Sequence, residues 1–390
     1  MFENLKVLEL ASVLAGPGVG QFFAELGATV IKVENPKTSG DVTRSWRVDG
    51  ENTDDRTAYF CAVNWGKQSV AINLDSGDGQ RIVRKLAEQS DIVITSYKPY
   101  DAEKNGVDYV TLRKLNPSLI YGSITGYGPQ DPRVGYDAVI QAEAGFMFLN
   151  GEPGKTSLRM PVALIDILAG HQLKEGILLA LIRRQQTGEG GFVEVSLIQA
   201  AIASLANQAT NWLVGGKIPQ KQGSFHPNIA PYGDVFKTAE GHELLLAVGN
   251  DRQFQHLCDL FGLSEIAADE KFKTNASRVV NRVILHHVLQ ERISMQTSDA
   301  VMTALHGSKI PAGVIQNIQE VFESPHAKQL LLKSGDLLGV KSYVGSADEQ
   351  MAPHFLPPPH YGEHTAEVLE KWLKMDSQAI QKLILNGSVV

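Results

Sequence analysis

The chain has 390 residues, 43% hydrophobic and 20% charged, long enough for two or three globular units and neither disordered nor fibrous. A formal net charge of −7 excludes a basic face for nucleic acid or for an anionic membrane. The two cysteines, Cys61 and Cys258, exclude a disulfide framework and suit a reducing cytoplasm.

Glu3, Lys6 and Glu9 interrupt the first ten residues, so no signal-peptide stretch is expected there. Five short runs, KVLEL, TVIKVE, SVAINL, DIVITSY and SLIYGSIT, then alternate with Gly-rich turns and amphipathic stretches. This alternation predicts an α/β fold in which helices wrap a parallel sheet. After the first run, Ala15-Gly16-Pro17-Gly18-Val19-Gly20 reads as a turn opening a helix over 21–26. Its free amides would face an anionic, nucleotide-like ligand at the carboxyl ends of the strands.

Apolar residues three and four apart predict a helix over 160–184, and strand-like FVEVSL follows. The uncharged stretch 195–216 contains Ser196, Gln199, Ser204, Asn207, Gln208, Thr210 and Asn211, too polar for a membrane span; it is predicted as a buried helix. Gly and Pro cluster over 215–231 as a linker, and a β pair with a run of helices to about residue 330 forms a second domain. Phe355-Leu356-Pro357-Pro358-Pro359 predicts an extended segment, and helices are expected over 365–374 and 377–385.

Several nucleotide and hydrolase motifs fail on single residues. The dinucleotide fingerprint needs a glycine where Gln21 stands, and Pro17 removes an amide it would use, although Glu34 could imitate its ribose-binding acid. Gly154-Lys155-Thr156 lacks the first P-loop glycine, because position 149 is Leu149. Gly122-Ser123-Ile124-Thr125-Gly126 puts its serine one place too early for a nucleophile elbow. His360 and His364 lie in a Pro- and Gly-rich stretch that reads as a loop with two solvated imidazoles rather than a metal site.

Asp166 stands out in Val162-Ala163-Leu164-Ile165-Asp166-Ile167-Leu168, since a carboxylate in so apolar a helix start needs a hydrogen bond or a cavity. Two readings remain open at this point: a helix N-cap, or a carboxylate nucleophile.

Taken together, motifs along nearly the whole chain resemble one family, the class III coenzyme A transferases, which include formyl-CoA and carnitine-CoA transferases. They are Val7-Leu8-Glu9-Leu10 with Ala15-Gly16-Pro17, 26–34 (LGATVIKVE), Gly40-Asp41-x-x-Arg44, 116–128 (NPSLIYGSITGYG), and Tyr136-Asp137 with Gln141-Ala142. Asp166, Thr187-Gly188-Glu189-Gly190, Ile310-Pro311-Ala312-Gly313, and Leu356-Pro357 with Gly362-Glu363-His364-Thr365 complete the order.

The resemblance implies a doubly wound large domain over 1–200 completed by 340–390, a small α+β domain over 225–325, linkers over 201–224 and 326–339, and an interlocked homodimer. It implies that Asp166 is the catalytic aspartate, passing through a mixed anhydride and an aspartyl-CoA thioester. A carboxylate of intrinsic pKa about 3.9 would be ionised at neutral pH without a base. Coenzyme A would be a substrate rather than a cofactor, with no metal required, and acyl-CoA and carboxylic acids would be the partners.

The resemblance places CoA contacts at Val13, Leu14, Ala15, Asn35, Ile72, Tyr97, Lys98, Lys104, Tyr136 and Asp137. Ser96-Tyr97-Lys98-Pro99 stands where the family usually has Asn-Phe-Arg-Pro, Lys104 where an arginine is common, and Asp75 where a lysine is frequent. Lysine cannot make arginine's bidentate contact, so phosphate grip would be less directional. Between 222 and 232 only Gly223 is a glycine, so the glycine-rich loop of some family members is not visible. Trp46 reads either as part of the acyl pocket or as an ordinary half-buried aromatic. The same fold carries α-methylacyl-CoA racemases, which have a histidine directly before the aspartate aligned with Asp137; here that position is Tyr136, a poor base.

Overall fold

The computed structural model describes residues 1–345 and 356–390; Phe355 of the expected extended segment lies outside them. Six strands, β1 (Lys6–Leu10), β2 (Thr29–Glu34), β3 (Lys67–Ala71), β4 (Ile92–Thr95), β5 (Ile120–Thr125) and β6 (Gly191–Ser196), form one sheet in the order β3-β2-β1-β4-β5-β6. Every pair in it is parallel. The six strand-like runs thus supply the six strands with shifted ends: β3 begins two residues before SVAINL and β6 one before FVEVSL, and β3, β4 and β6 end earlier than expected. Strand β3 stops at Ala71, for instance, and Ile72 instead bridges antiparallel to Val389. Strand order reverses between β1 and β4, the switch point where open parallel sheets leave a crevice at their carboxyl ends.

The first helix is longer than its sequence suggests and runs Ala15–Glu25, so the glycines read as a turn are helical. Packing explains them: a Cβ on Gly16 would collide with the Ala11 side chain, and one on Gly20 with the Glu9 carboxylate. Pro17 is tolerated because first-turn amides have no intrahelical partner in any case. The helix expected over 160–184 is Leu164–Thr187, beginning after Pro161 and ending at left-handed Gly188.

The stretch 195–216 is not one buried helix. It forms Leu197–Ala203 and Asn207–Leu213, broken at Ala206 with φ 48°, and Trp212, Leu213 and Val214 are exposed. The first of these helices buries Leu197, Ala200 and Ala201 on one face, whereas the second has no buried residue.

The chain divides into two compact units: Met1–Ala144, Pro161–Leu205 and Lys328–Val390 in one, Gly145–Met160 and Ala206–Ala327 in the other. The second unit therefore also takes up residues 145–160. Its sheet is β7 (Tyr232–Lys237), β8 (Glu243–Ala247) and β9 (Ala312–Val314), all antiparallel; β9 is too short to signal itself by alternation. Phe236, Leu244, Leu257, Leu289 and Leu305 are among its core residues. The stretch expected as a return linker instead holds a hairpin, β10 (Leu331–Ser334) and β11 (Leu337–Val340), turning at Gly335. Closing helices Thr365–Leu373 and Ser377–Leu385 return to the first unit's core through Val368, Leu369, Ile380 and Leu383. Among the described residues, no helix is long and apolar enough to cross a membrane.

Candidate active site

At the carboxyl ends of β1, β4 and β5 lies a cleft of about 330 Å³. Of the residues expected to act, Val13, Leu14, Ala15, Tyr97, Lys98, Tyr136, Asp137 and Asp166 all line it, as does Trp46. The loop between β5 and Tyr136 closes one side, and Gly126 and Gly135 in it press against each other too closely for a side chain. A Cβ on Gly126 would come within 2.6 Å of the Gly135 amide.

Asp166 sits in the first turn of the helix Leu164–Thr187 and is buried, yet it accepts no hydrogen bond from any described residue. The helix is capped in trans by Asp137, whose Oδ1 accepts the Ile165 amide at 2.7 Å while its Oδ2 accepts from Gln141 Nε2 at 2.6 Å. The side chain that caps this helix is therefore Asp137 and not Asp166, which removes the N-cap reading of Asp166. Burial, with the Asp137 charge adding to it, pushes the Asp166 carboxyl up from 3.8 to about 7. A helix N-terminus favours a carboxylate by at most about 2 kcal/mol, too little to offset that desolvation. Asp166 is thus held well above the ordinary carboxylate range, rather than at the intrinsic value expected of a free aspartate.

Asp137→Asn keeps an acceptor for the Ile165 amide but removes the neighbouring charge. Asp166 should then titrate closer to its ordinary value with little loss of stability. Asp137→Ala should cost about 1 kcal/mol in urea unfolding through the lost cap.

A larger cleft of about 660 Å³ adjoins the first through shared Ser12, Val42, Ser96 and Tyr97, and it includes Asn35. Asn35, Ile72 and Tyr97 also line a small recess of about 90 Å³ with Asp75. The Asn35 side chain accepts the Lys37 amide at 3.0 Å, so part of its hydrogen-bonding capacity serves the turn. Ile72 is a core residue, 1% exposed, and can offer a ligand little side-chain surface. Lys104 lines none of these clefts. Asp75, at the position where a lysine is frequent, is paired at 2.5 Å with Lys37, which returns a positive charge to that rim. Of the two histidines expected in solvent, His360 is exposed, with its Nδ1 2.5 Å from Asp55 Oδ1, whereas His364 is half-buried and its Nδ1 accepts the Ser69 amide at 3.3 Å.

Sequence reasoning missed the ion network beneath the clefts. Lys32 Nζ contacts Glu9 Oε1 at 3.0 Å and Asp41 Oδ2 at 2.8 Å, and Lys67 Nζ contacts Glu9 Oε2 at 2.8 Å, all four residues being buried. Burial opposes the Lys32 charge, but Glu9, Asp41 and Glu34 outweigh it and hold its pKa above the usual lysine value. At Lys67 burial wins and lowers the pKa to about 8. Glu34 binds Arg44 through both carboxylate oxygens, Oε1 to Nη2 at 2.6 Å and Oε2 to Nε at 2.8 Å. A signal was present: KVLEL and TVIKVE each carry a charge inside an apolar run, and Glu9 pairs in register with Lys32.

A parallel sheet with a cleft at its switch point and a desolvated carboxylate in the cleft wall is the frame of an α/β enzyme. The family described as CoA-transferase family III matches residues 2–365. The succinate–glutarate CoA-transferase of Agrobacterium fabrum is 39% identical over 383 residues, covering 94% of each chain. The succinyl-CoA:glutarate CoA-transferase of Mus musculus is 35% identical over 396 residues, covering 99% of this chain and 90% of that one. A crystal structure of a CaiB/BaiF family protein from Brucella suis matches with a TM-score of 0.84 at 39% identity, covering 95% of this chain and 98% of that one. The chain belongs to CoA-transferase family III and is an enzyme of that class.

Proposed function

We propose that this enzyme moves coenzyme A from an acyl-CoA donor to a free carboxylic acid, with short dicarboxylic acids of the succinate and glutarate kind as the substrate class. The carrying observation is the Asp166 carboxyl, buried, free of hydrogen bonds from the described residues, and set in the cleft wall. The names of the Agrobacterium and mouse relatives support the acids.

In the first step an ionised Asp166 oxygen attacks the thioester carbon, the C–S bond breaks, and CoA leaves as a thiolate from a mixed anhydride. The thiolate then attacks the Asp166 carbonyl, releasing the donor acid as a carboxylate and leaving an aspartyl-CoA thioester. An acceptor carboxylate attacks that thioester to form a second anhydride. CoA thiolate closes the cycle at the acceptor's acyl carbon and frees Asp166. Every leaving group departs as an anion, so no proton donor is required, and each intermediate keeps the activation of the original thioester. The chemistry calls for no metal or organic cofactor. CoA would contact Val13, Leu14, Ala15, Tyr97, Lys98, Tyr136 and Asp137 in the first cleft and Asn35 in the adjoining one, with Ile72 and Lys104 at the periphery. A reducing cytoplasm suits the two free cysteines.

The racemase alternative is not favoured: proton abstraction needs two bases, and the residue before Asp137 is Tyr136, 60% exposed. Intact-protein mass spectrometry with a panel of acyl-CoA esters and no acceptor tests the proposal. Succinyl-CoA is expected to leave an acyl- or CoA-sized adduct. No adduct from any ester, together with solvent deuterium entering the α-carbon of a 2-methylacyl-CoA, would overturn it.

The interlocked dimer is part of the same proposal. The helix Leu164–Thr187 leaves Leu179 67% and Ile182 55% exposed in the single chain, as expected of a helix that needs further cover. Sedimentation at micromolar concentration should give twice the 42.5 kDa chain mass, and a 42.5 kDa species would count against it.

A further inference from the structure

The turn that follows β1 contributes Ser12, Val13 and Leu14 to the cleft holding Asp166, and it is strained. Val13 has φ 72°, in the left-handed region that a β-branched residue avoids unless its surroundings impose it. Those surroundings are specific. The Val13 amide donates to both oxygens of Asp41, at 3.3 and 3.2 Å. Lys32 Nζ, 2.8 Å from Asp41 Oδ2, also donates to the Ala11 carbonyl at 2.8 Å. Both ends of the turn, residues 11 and 13, are thus tied to one ion pair whose members are 1% and 5% exposed. Asp41 is fixed in turn: its Oδ1 accepts from the Thr43 amide and hydroxyl at 3.1 and 2.9 Å, and its own amide donates to Glu34 Oε2 at 2.8 Å.

We infer that Asp41, through the Val13 amide and Lys32, is a positioning residue that holds the β1 turn in the conformation required for acyl transfer at Asp166. The inference rests on the Asp166 chemistry proposed above. An ordinary buried ion pair would stabilise the sheet whatever residue stood at 13, whereas a clamp on a strained valine loses its purpose when that residue is glycine, for which φ 72° is unstrained.

The test is a rapid-quench single turnover of Asp166 acylation by saturating succinyl-CoA, with the CoA Kd measured in parallel. Asp41→Ala should slow acylation by about 100-fold while the Kd stays within about threefold, because a displaced wall damages attack geometry more than binding. Asp41→Asn keeps an acceptor and should slow it by about tenfold. Adding Val13→Gly to Asp41→Ala should recover about tenfold. If Asp41→Ala does not fold, the same comparison is made on Asp41→Asn.

Acylation within about threefold of wild type in both Asp41 variants, or no recovery on adding Val13→Gly, would overturn the inference. So would a loss wholly accounted for by CoA Kd. Should the wild type form no adduct, the chemistry at Asp166 fails rather than the clamp. Hydrogen exchange at the Val13 amide then decides: faster exchange in Asp41→Asn supports the clamp, and unchanged exchange overturns it.

Discussion

Asp166→Ala is expected to abolish both the covalent adduct and turnover, by at least about 10⁴-fold, while CoA binds within about threefold of wild type. The expectation follows from placement. Asp166 accepts no side-chain hydrogen bond from the described residues, and the adjoining helix cap is supplied by Asp137, so truncation removes the proposed nucleophile without removing the cap. Single-turnover mass spectrometry and a CoA titration read the two quantities separately. Asp166→Glu retains the charge but moves it by one methylene, and most activity should be lost because attack geometry tolerates little displacement. Substantial turnover by the alanine variant would remove Asp166 from the mechanism.

The second large effect is a dependence on pH that this same residue imposes on both catalysis and stability. In the proposed mechanism only the ionised carboxylate attacks, so kcat/KM for the donor half-reaction should fall about tenfold per pH unit below about 7, the value to which burial and Asp137 raise Asp166. For stability the sign is opposite to that of a paired carboxylate. The folded protein holds a proton on Asp166 that the unfolded chain has already lost, so stability declines as pH rises from 3.8 to about 7 and stays lower above that. Asp166→Asn removes this loss. Urea unfolding should show the variant close to wild type at pH 4 and more stable by a few kcal/mol at pH 8. Equal stability difference at the two pH values would show that Asp166 is not desolvated as described.

Much of the frame was legible in the residues. Six short runs became six strands because their Val and Ile residues suit a parallel sheet, even where Glu9 and Lys32 interrupt them. Asp166 could be singled out because its helix start is so apolar. The first helix was misjudged because Gly16 and Gly20 look like turn residues locally. They are glycines because Ala11 and Glu9 press against them, a contact between separate elements that no local pattern carries. The stretch 195–216 misled for the converse reason: a run without charge, Gly or Pro over 195–214 reads as one helix, while the backbone breaks at Ala206, whose φ is 48°.

Sequence alone thus determined the class of sheet, the order of its strands along the chain and the identity of the candidate nucleophile, since these depend on periodicity and on residue chemistry. Tertiary structure decided which aspartate caps the helix, because Asp137 reaches the Ile165 amide from 28 positions away. It also decided the ionisation of Asp166, because desolvation depends on what surrounds a carboxyl rather than on what adjoins it in the chain. The clamp on Val13 belongs to the same class: Lys32 and Asp41 meet the turn only once β1 and β2 lie side by side, when burial makes each charge depend on its partner.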